Sequence, residues 1–156
     1  MSVRIHTRLA ESDLDPAEEF AAFLAEAAGA GAIVSFVGVA RPRTLGGKAI
    51  ERLFLDHHPR LTHESLDTIA AEAAARFDVT ALGIVHRCGS VAPGAAIVFV
   101  AAASARRRAA FEAADYLMDR LKTDAVFWKR EDTVDGACWI EPTDADRAER
   151  ARWSDG

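Results

Sequence analysis

Three segments of the chain repeat apolar residues at helical spacing, and each has a start signal. The first begins at Asp15-Pro16, because Asp15 can cap the helix and Pro16 suits its first turn, and Gly29 is a natural end. For the second and third helices, the side chains of Thr62 and Ser104 are the predicted caps. The apolar faces comprise Phe20, Phe23, Leu24 and Ala27, then Leu66, Ile69, Ala70, Ala73 and Phe77, and finally Ala110, Phe111, Ala114, Leu117, Met118 and Leu121.

Segments rich in β-branched and aromatic residues lie between the helices and predict strands. They are 32–39, 50–57, 79–85, 95–103 and 126–131, with a short one at 139–140. Asp135-Gly136 is a turn signal that joins the last two strands as a hairpin. Because hairpin-connected strands mix with helices, we predict an α+β fold with a mixed, largely antiparallel sheet and flanking helices. We expect one domain over 1–156, with a charged tail from about residue 142.

Length, charge and cysteine content narrow the class of protein. A chain of 156 residues has the size of one ordinary domain, and its formal net charge of -5 argues against a general nucleic-acid binder. Cys88 and Cys138 form no metal-ligand spacing and fit a reducing compartment. The first residues contain no apolar signal segment, and no apolar run is long enough to span a bilayer. We therefore expect a cytoplasmic protein that binds neither nucleic acid nor membrane.

Three consecutive arginines, Arg106, Arg107 and Arg108, lie at the start of the third predicted helix. The helix dipole already makes this end positive, so the three charges are unfavourable there unless an anion binds. Free backbone N–H groups and guanidinium groups both suit a phosphate. The competing interpretation is a solvated surface paired with nearby acids such as Glu112, and the pattern alone supports the two interpretations equally.

Other candidate groups carry weaker signals. Lys122 ends the third helix and Lys129 lies on the next strand. A lysine near other cations can act as an acid, base or nucleophile, but the pattern alone favours ordinary solvated lysines. The loop with Arg41 is likewise interpreted as a solvated basic loop, and His86 as a hydrogen-bonded residue of a turn rather than a catalyst. The histidines have no metal-binding spacing, so we expect no metal site.

Five short motifs together make the chain similar to a known family. They are Phe36-Val37-Gly38-Val39-Ala40-Arg41, His86-Arg87-Cys88-Gly89, Ser104-Ala105-Arg106-Arg107, Asp119-Arg120-Leu121-Lys122-Thr123 and Phe127-Trp128-Lys129-Arg130-Glu131. In this order they resemble the MoaE family, the catalytic subunits of molybdopterin synthase, over about residues 31 to 141. The paired lysines in the last two motifs are the most specific markers.

The resemblance implies a fold of the α/β-hammerhead type, a homodimer and a sulfurtransferase activity. Each end of the dimer would hold a small ubiquitin-like sulfur carrier, which gives a heterotetramer. The carrier's Gly-Gly tail ends in a thiocarboxylate and passes its sulfur to cyclic pyranopterin monophosphate. Two such transfers form the dithiolene of molybdopterin in molybdenum cofactor biosynthesis. Because the carrier brings the sulfur, the resemblance implies that the enzyme needs no metal or organic cofactor.

The resemblance also assigns roles to individual residues. Lys122 and Lys129 match the family's catalytic lysines. The expected substrate-binding residues are Val39, Ala40, Arg41, Arg106, Arg107, Lys122, Lys129, Arg130 and Glu131. The family usually has histidine where this chain has Arg106. Arginine can hold phosphate but cannot shuttle a proton near neutral pH. We therefore expect Arg41, Arg106 and Arg107 together to bind the substrate phosphate.

Two other functions would use some of the same residues. A non-enzymatic module that binds a phosphorylated small molecule or a partner's tail would need the arginines but not both lysines. An inactive scaffold for a ubiquitin-like protein would need neither set. An assay for molybdopterin, with thiocarboxylated carrier and substrate supplied, discriminates all three functions.

Overall fold

The computed structural model describes residues 2–154, which form eight strands and four helices. In chain order they are β1 (Arg4–Ala10), α1 (Pro16–Glu26), β2 (Ala32–Val39), β3 (Arg52–His57), α2 (Pro59–Arg76), β4 (Ala81–Arg87), β5 (Gly89–Val91), β6 (Ala96–Ser104), α3 (Arg107–Thr123), β7 (Phe127–Thr133), β8 (Gly136–Ile140) and α4 (Asp144–Ala151). The strands divide into two four-stranded sheets, ordered β1-β4-β6-β2 and β5-β3-β7-β8. The predicted α+β fold is confirmed, and within residues 2–154 only β1 and β4 pair in parallel.

Helices cover both faces of the first sheet. On one face α2 and α3 pack against the strands, where Leu66 and Leu117 join Ile84 and Val100 in one apolar cluster. On the other face α1 contributes Phe23 to a second cluster. Because both faces are covered, β4 is buried along its whole length. Its sequence is accordingly an almost continuous apolar run rather than an alternating one.

The second sheet is built around β3, which pairs with β5 on one side and with β7 on the other. The register of β3 and β7 places Leu55 opposite Lys129 and Leu53 opposite Glu131. Both leucines are buried in a small apolar cluster. β7 continues into β8 as an antiparallel hairpin. The hairpin predicted from the sequence is therefore confirmed, and it carries three of the predicted site residues, Lys129, Arg130 and Glu131.

Of the predicted helix caps, the first is confirmed and the second is wrong. Asp15 caps α1, and its Oδ1 accepts the N–H of Ala17 at 3.0 Å. The second helix starts at its Pro59 end, where the side chain of His58 is the cap. Thr62 is buried instead, and its hydroxyl donates to the carbonyl of Val126 at 2.6 Å. The same oxygen accepts the N–H of His58 at 3.0 Å, so Thr62 bonds the start of α2 from inside the helix rather than as its cap.

The third predicted cap is also wrong, because the helix begins three residues after Ser104. Ser104 remains part of β6, and its hydroxyl donates to the carbonyl of Asp78 at 2.7 Å. The same oxygen accepts the N–H of Arg106 at 3.2 Å, so it orders the approach to α3 from two residues away. The helix itself begins at Arg107, with Arg106 at the cap position.

The ends of the described chain add elements to those predicted. β1 was absent from the sequence-based strands, and it forms the parallel edge of the first sheet. The charged tail contains α4, which begins with a capping box between Thr143 and Asp146. Beyond α4, Trp153 packs edge-on against Phe77 and Tyr116 at centroid distances of 5.7 and 5.4 Å. In the part of the chain that is described, no helix is both long and apolar enough to cross a membrane.

Candidate active site

A cavity of about 470 Å³, named here the lysine cavity, opens beside the C-terminal end of α3 and is lined by residues of both sheets. It brings together five of the predicted site residues, which are Val39, Arg41, Lys122, Lys129 and Glu131. These residues come from the end of β2, the loop that follows it, the last turn of α3, and β7. Apolar side chains such as Phe36, Leu55 and Phe127 form much of the remaining wall.

Lys129 is the lysine whose protonation the cavity changes. Burial lowers the pKa of Lys129, and the positive charges of Lys122 and Arg41 lower it further, while Glu131 acts in the opposite direction. A lysine with a lowered pKa is more often a neutral amine, which can accept a proton or act as a nucleophile. Lys122 lies at the C-terminal end of α3, where the helix dipole favours a cation. The pair therefore places a lysine that releases its proton more readily beside a second amino group at a helix C-terminus.

Arg41 and Glu131 form a two-point ion pair at the edge of the cavity. The Nε and Nη2 atoms of Arg41 donate to the two carboxylate oxygens of Glu131 at 3.1 and 3.2 Å. The Glu131 side chain is only 2% exposed, whereas that of Arg41 is 37% exposed. Glu131 therefore orients Arg41 rather than offering a free carboxylate. The preceding residue, Ala40, is buried and lies outside the cavity wall, and its N–H donates to the carbonyl of Ala95 at 2.8 Å.

His86 also lines the lysine cavity, although the sequence analysis did not place it in the site. Its Nδ1 lies 2.7 Å from the carbonyl oxygen of Arg87, and its ring stacks on Phe127 at a centroid distance of 4.2 Å. Burial lowers the pKa of His86 to about 4, an effect that the nearby charges of Lys122 and Lys129 reinforce and the hydrogen bond to Arg87 opposes. His86 is thus a neutral imidazole at physiological pH. The sequence signals for it were its position at the end of a buried strand and its place in the motif His86-Arg87-Cys88-Gly89.

Arg130, predicted to bind substrate, lies outside the wall of the lysine cavity. Successive residues of a strand point to opposite faces, so Arg130 faces away from its neighbours Lys129 and Glu131. Its Nε donates to the carboxylate of Asp132 at 2.7 Å, and its guanidinium lies 4.8 Å from the centre of the Phe54 ring. In the isolated chain the Arg130 side chain is therefore bound by neighbouring residues of the sheet and does not line the cavity.

The three consecutive arginines line a separate surface cleft, the arginine cleft, at the N-terminal end of α3. Its walls are formed by Gly31, Ala32, Ala105, Arg106, Arg107, Arg108, Phe111 and Glu112. Arg108 lies 3.7 Å from Glu112, which is the pairing that the solvated-surface interpretation expected. Arg106 and Arg107 are exposed in this cleft. Two cations therefore remain accessible to an anion at a helix N-terminus.

A single chain does not bring the arginine cleft to the lysine cavity. At about 1.5 Å per residue, α3 separates Arg106 from Lys122 by roughly 24 Å. The expectation that Arg41, Arg106 and Arg107 surround one phosphate is therefore not met within one copy of the chain. The sequence pattern already placed the two clusters at opposite ends of the third helix, but matching each motif separately took no account of the length of that helix.

The fold also assembles one group of potential metal ligands among residues 2–154. The ligand atoms of Glu11, His57 and Cys88 all lie within 4.8 Å of one another, although the residues are distant in sequence. None of the three lines the lysine cavity. Burial raises the pKa of the Cys88 thiol, which opposes the thiolate that a metal requires. The expected absence of a metal stays a prediction.

Comparison with known proteins gives consistent matches over the whole fold. The family model described as "MoaE protein" matches residues 9–124. A molybdopterin synthase catalytic subunit of Pseudomonas aeruginosa is 44% identical over 148 residues, which cover 95% of this chain and 98% of the relative. A solved MoaE protein of molybdopterin biosynthesis from Burkholderia ambifaria is 38% identical, covers 99% of both chains and superimposes with a TM-score of 0.79.

A more distant solved structure has the same fold. It is described as a complex of subunits 1 and 2 of molybdopterin-converting factor from Helicobacter pylori. The match covers 88% of this chain and 89% of that one, with 22% identity and a TM-score of 0.69. At this identity the similarity concerns the arrangement of strands and helices.

Proposed function

The chain belongs to the MoaE family of molybdopterin synthase catalytic subunits, and on that premise we propose that Lys122 and Lys129 perform catalysis in the lysine cavity. Membership makes the protein an enzyme of molybdenum cofactor biosynthesis with a sulfur-transferring step. The observation that carries the proposal is the meeting of both lysines in one cavity, where burial and neighbouring cations lower the pKa of Lys129. Neither a simple binding module nor a scaffold requires this arrangement.

The proposed substrates are cyclic pyranopterin monophosphate and the thiocarboxylated tail of a small ubiquitin-like carrier. Both are anionic, and Arg41, Lys122 and Lys129 concentrate positive charge at the cavity. A preorganised cation near the reacting carbonyl would also stabilise an oxyanion as sulfur leaves the tail. The subunit complex described for the Helicobacter pylori relative supports a small-subunit partner. No metal or organic cofactor enters this scheme. The location of the protein in the cytoplasm stays a prediction.

The proposed homodimer would resolve the distance between the two basic sites. β2 is the last strand of its sheet, with Ala32 in the wall of the arginine cleft and Val39 in the wall of the lysine cavity. Its side chains Phe36 and Val37 are 44% and 36% exposed, as expected of an edge that a partner covers. If two β2 edges pair antiparallel about a twofold axis, each arginine cleft faces the partner's lysine cavity. We propose that Arg106 and Arg107 reach the substrate phosphate in this way.

Mixing inactive variants tests the shared site. Lys129→Ala and Arg107→Ala would each be purified, then combined under conditions that exchange subunits, and assayed for molybdopterin with carrier and substrate. Random pairing of two symmetric chains leaves one intact site in half of the dimers, so activity should return to about a quarter of wild type. A mixture as inactive as its components, with exchange verified by mass spectrometry, would reject the shared site.

A second measurement addresses the catalytic lysines themselves. Lys122→Ala and Lys129→Ala should each lose most activity while retaining near-wild-type thermal unfolding, because neither side chain belongs to an apolar core cluster. Lys48→Ala is a matched control, since Lys48 is an exposed lysine paired with Asp135 outside the cavity. Full activity of either cavity variant would overturn the proposed catalytic role.

A further inference from the structure

The imidazole of His86 is held in one orientation by its surroundings. Its Nδ1 lies 2.7 Å from the carbonyl oxygen of Arg87, and since a carbonyl accepts hydrogen bonds, Nδ1 must carry the proton and donate. One face of the ring is stacked on Phe127. The neutral ring then has an unprotonated Nε2, which can accept a hydrogen bond but cannot donate one.

The free nitrogen of His86 opens into the lysine cavity. Among the described residues, Nε2 makes no hydrogen bond, and no buried side-chain nitrogen or oxygen is both sealed from solvent and unpartnered. Nε2 must therefore reach solvent, although the residue as a whole is only 9% exposed. Because His86 is part of the cavity wall, the solvent that it reaches is the space of the cavity.

The cavity otherwise offers a ligand mainly hydrogen-bond donors. Arg41, Lys122 and Lys129 present N–H groups that can donate hydrogen bonds. Of the three acidic side chains in the wall, Glu131 and Asp146 already accept hydrogen bonds from the protein. The third, Glu141, is exposed at the residue after the end of β8. A neutral acceptor fixed in orientation among these donors is suited to a ligand that combines anionic groups with an N–H group. A pterin has such N–H groups on its ring, beside the phosphate and the incoming thiocarboxylate.

We propose that His86 determines substrate specificity in the reaction assigned above, by accepting a hydrogen bond at Nε2 from an N–H of the pterin ring. This inference rests on the proposed function, because it requires the pterin to enter the lysine cavity. His86 acts as a neutral acceptor throughout and transfers no proton. The low pKa of about 4 agrees with that role, since protonation would turn the acceptor into a donor.

Two substitutions separate this role from a purely structural one. Asparagine places an amide near the position of Nδ1 and can keep the hydrogen bond to Arg87, but it offers nothing at Nε2. Glutamine reaches the position of Nε2 with its amide oxygen and loses the bond at Nδ1. The proposal therefore expects His86→Asn to raise the KM for cyclic pyranopterin monophosphate by about three- to tenfold, the effect of one neutral hydrogen bond. His86→Gln should keep a KM near that of wild type, and kcat should change little in both.

The measurement is steady-state molybdopterin formation at saturating thiocarboxylated carrier, with thermal unfolding of every variant as the folding readout. His63→Asn is the matched control, because His63 is an exposed histidine on α2 outside the cavity. If the role is structural, the pattern reverses: His86→Asn behaves as wild type, while His86→Gln loses thermal stability and activity together. That reversal, or an unchanged KM in His86→Asn, would overturn the inference.

The pH dependence provides an independent check. The charged and titratable groups on the elements around His86 are Arg41, Arg87, Lys122, Lys129, Glu131, Glu141 and Asp146. Since His86 stays neutral, His86→Gln should keep the pH profile of wild type between pH 5.5 and 8. The lower limit of this window is about 1.5 units above the pKa of His86, which is about 4. A displaced acidic limb would mean that His86 titrates during turnover, against the proposal. A wild-type enzyme that forms no molybdopterin would reject the proposed function, whereas an active wild type with an unaffected His86→Asn would reject only this inference.

Discussion

Replacing Arg41 should destabilise the fold more than neutralising Glu131, its partner in the ion pair at the cavity edge. Both carboxylate oxygens of Glu131 are bound by Arg41, and the Glu131 side chain is 2% exposed. The Arg41 side chain is 37% exposed, so its guanidinium can be solvated if the carboxylate is removed. Loss of the arginine, in contrast, leaves a buried charge without a partner. The direction of the asymmetry follows from exposure alone.

The expected losses of stability in Arg41→Met and Glu131→Gln differ by more than a typical measurement error. Breaking a buried pair so that a charge is left buried costs about 3–5 kcal/mol, which we expect for Arg41→Met. Glu131→Gln leaves a neutral amide that can still accept one hydrogen bond, so the expected loss is about 1.5 kcal/mol. For a chain of 156 residues, 1 kcal/mol corresponds to roughly 2–4 °C in Tm. Arg41→Met should therefore melt roughly 6–20 °C below wild type.

Adding Glu131→Gln to Arg41→Met supplies the decisive comparison. If the loss in Arg41→Met comes from an uncompensated carboxylate, neutralising that carboxylate should recover about 1–3 kcal/mol, and the double variant should be more stable than the single one. The assay is urea unfolding at one protein concentration, because self-association makes apparent stability depend on concentration. An unchanged m-value would show that the change lies in stability rather than in the unfolded state.

A neighbouring ion pair provides the matched control. Arg52 and Asp132 lie 2.8 Å apart on the same sheet, but their side chains are 48% and 19% exposed. Exposed pairs contribute about 0–1 kcal/mol, so Arg52→Met should change stability by less than about 1 kcal/mol. Equal losses in Arg41→Met and Glu131→Gln, or a double variant as unstable as Arg41→Met, would refute the reasoning from burial.

Three further predictions concern other parts of the fold. A Cβ at Gly31 would lie 2.4 Å from the carbonyl oxygen of Ala105, so Gly31→Ala should lower the free energy of unfolding in urea by about 1–3 kcal/mol. The control is Gly46→Ala, whose new Cβ meets nothing closer than 3.8 Å and which should change that free energy by less than about 0.5 kcal/mol. Because burial lowers the pKa of Lys129, the unfolded chain binds the lysine proton more tightly than the folded one does, so Lys129→Met should be more stable than wild type at pH 7. The difference in stability between Lys129→Met and wild type should shrink as pH rises toward 10.5, the ordinary lysine pKa. Trp153→Ala should lower Tm and increase amide exchange in α4, since Trp153 packs on Tyr116; unchanged exchange there would contradict that role.

Features that depend on near neighbours along the chain could be predicted from the sequence. Asp15 caps α1 by bonding an N–H two residues away, and β2 has the bounds that its run of β-branched residues indicated. The hairpin of β7 and β8 follows from its turn residues. The five motifs together, of which those with Lys122 and Lys129 are the most specific, indicated the family, because such motifs are themselves short stretches of sequence.

Only the tertiary structure decided which of those local features work together. Thr62 lies inside α2 and Ser104 lies two residues before the cap position of α3, so neither is the cap. Their hydroxyls donate to carbonyls 64 and 26 residues away. The partner of Glu131 is Arg41, 90 residues earlier, and nothing in either local pattern relates them. His86 is part of the site because the fold buries it and brings two lysines that are distant in sequence close to it. Burial, separation and the dielectric around a charge are set by elements far apart in sequence, and these quantities determine whether a charged residue stabilises the fold, binds a ligand or does neither.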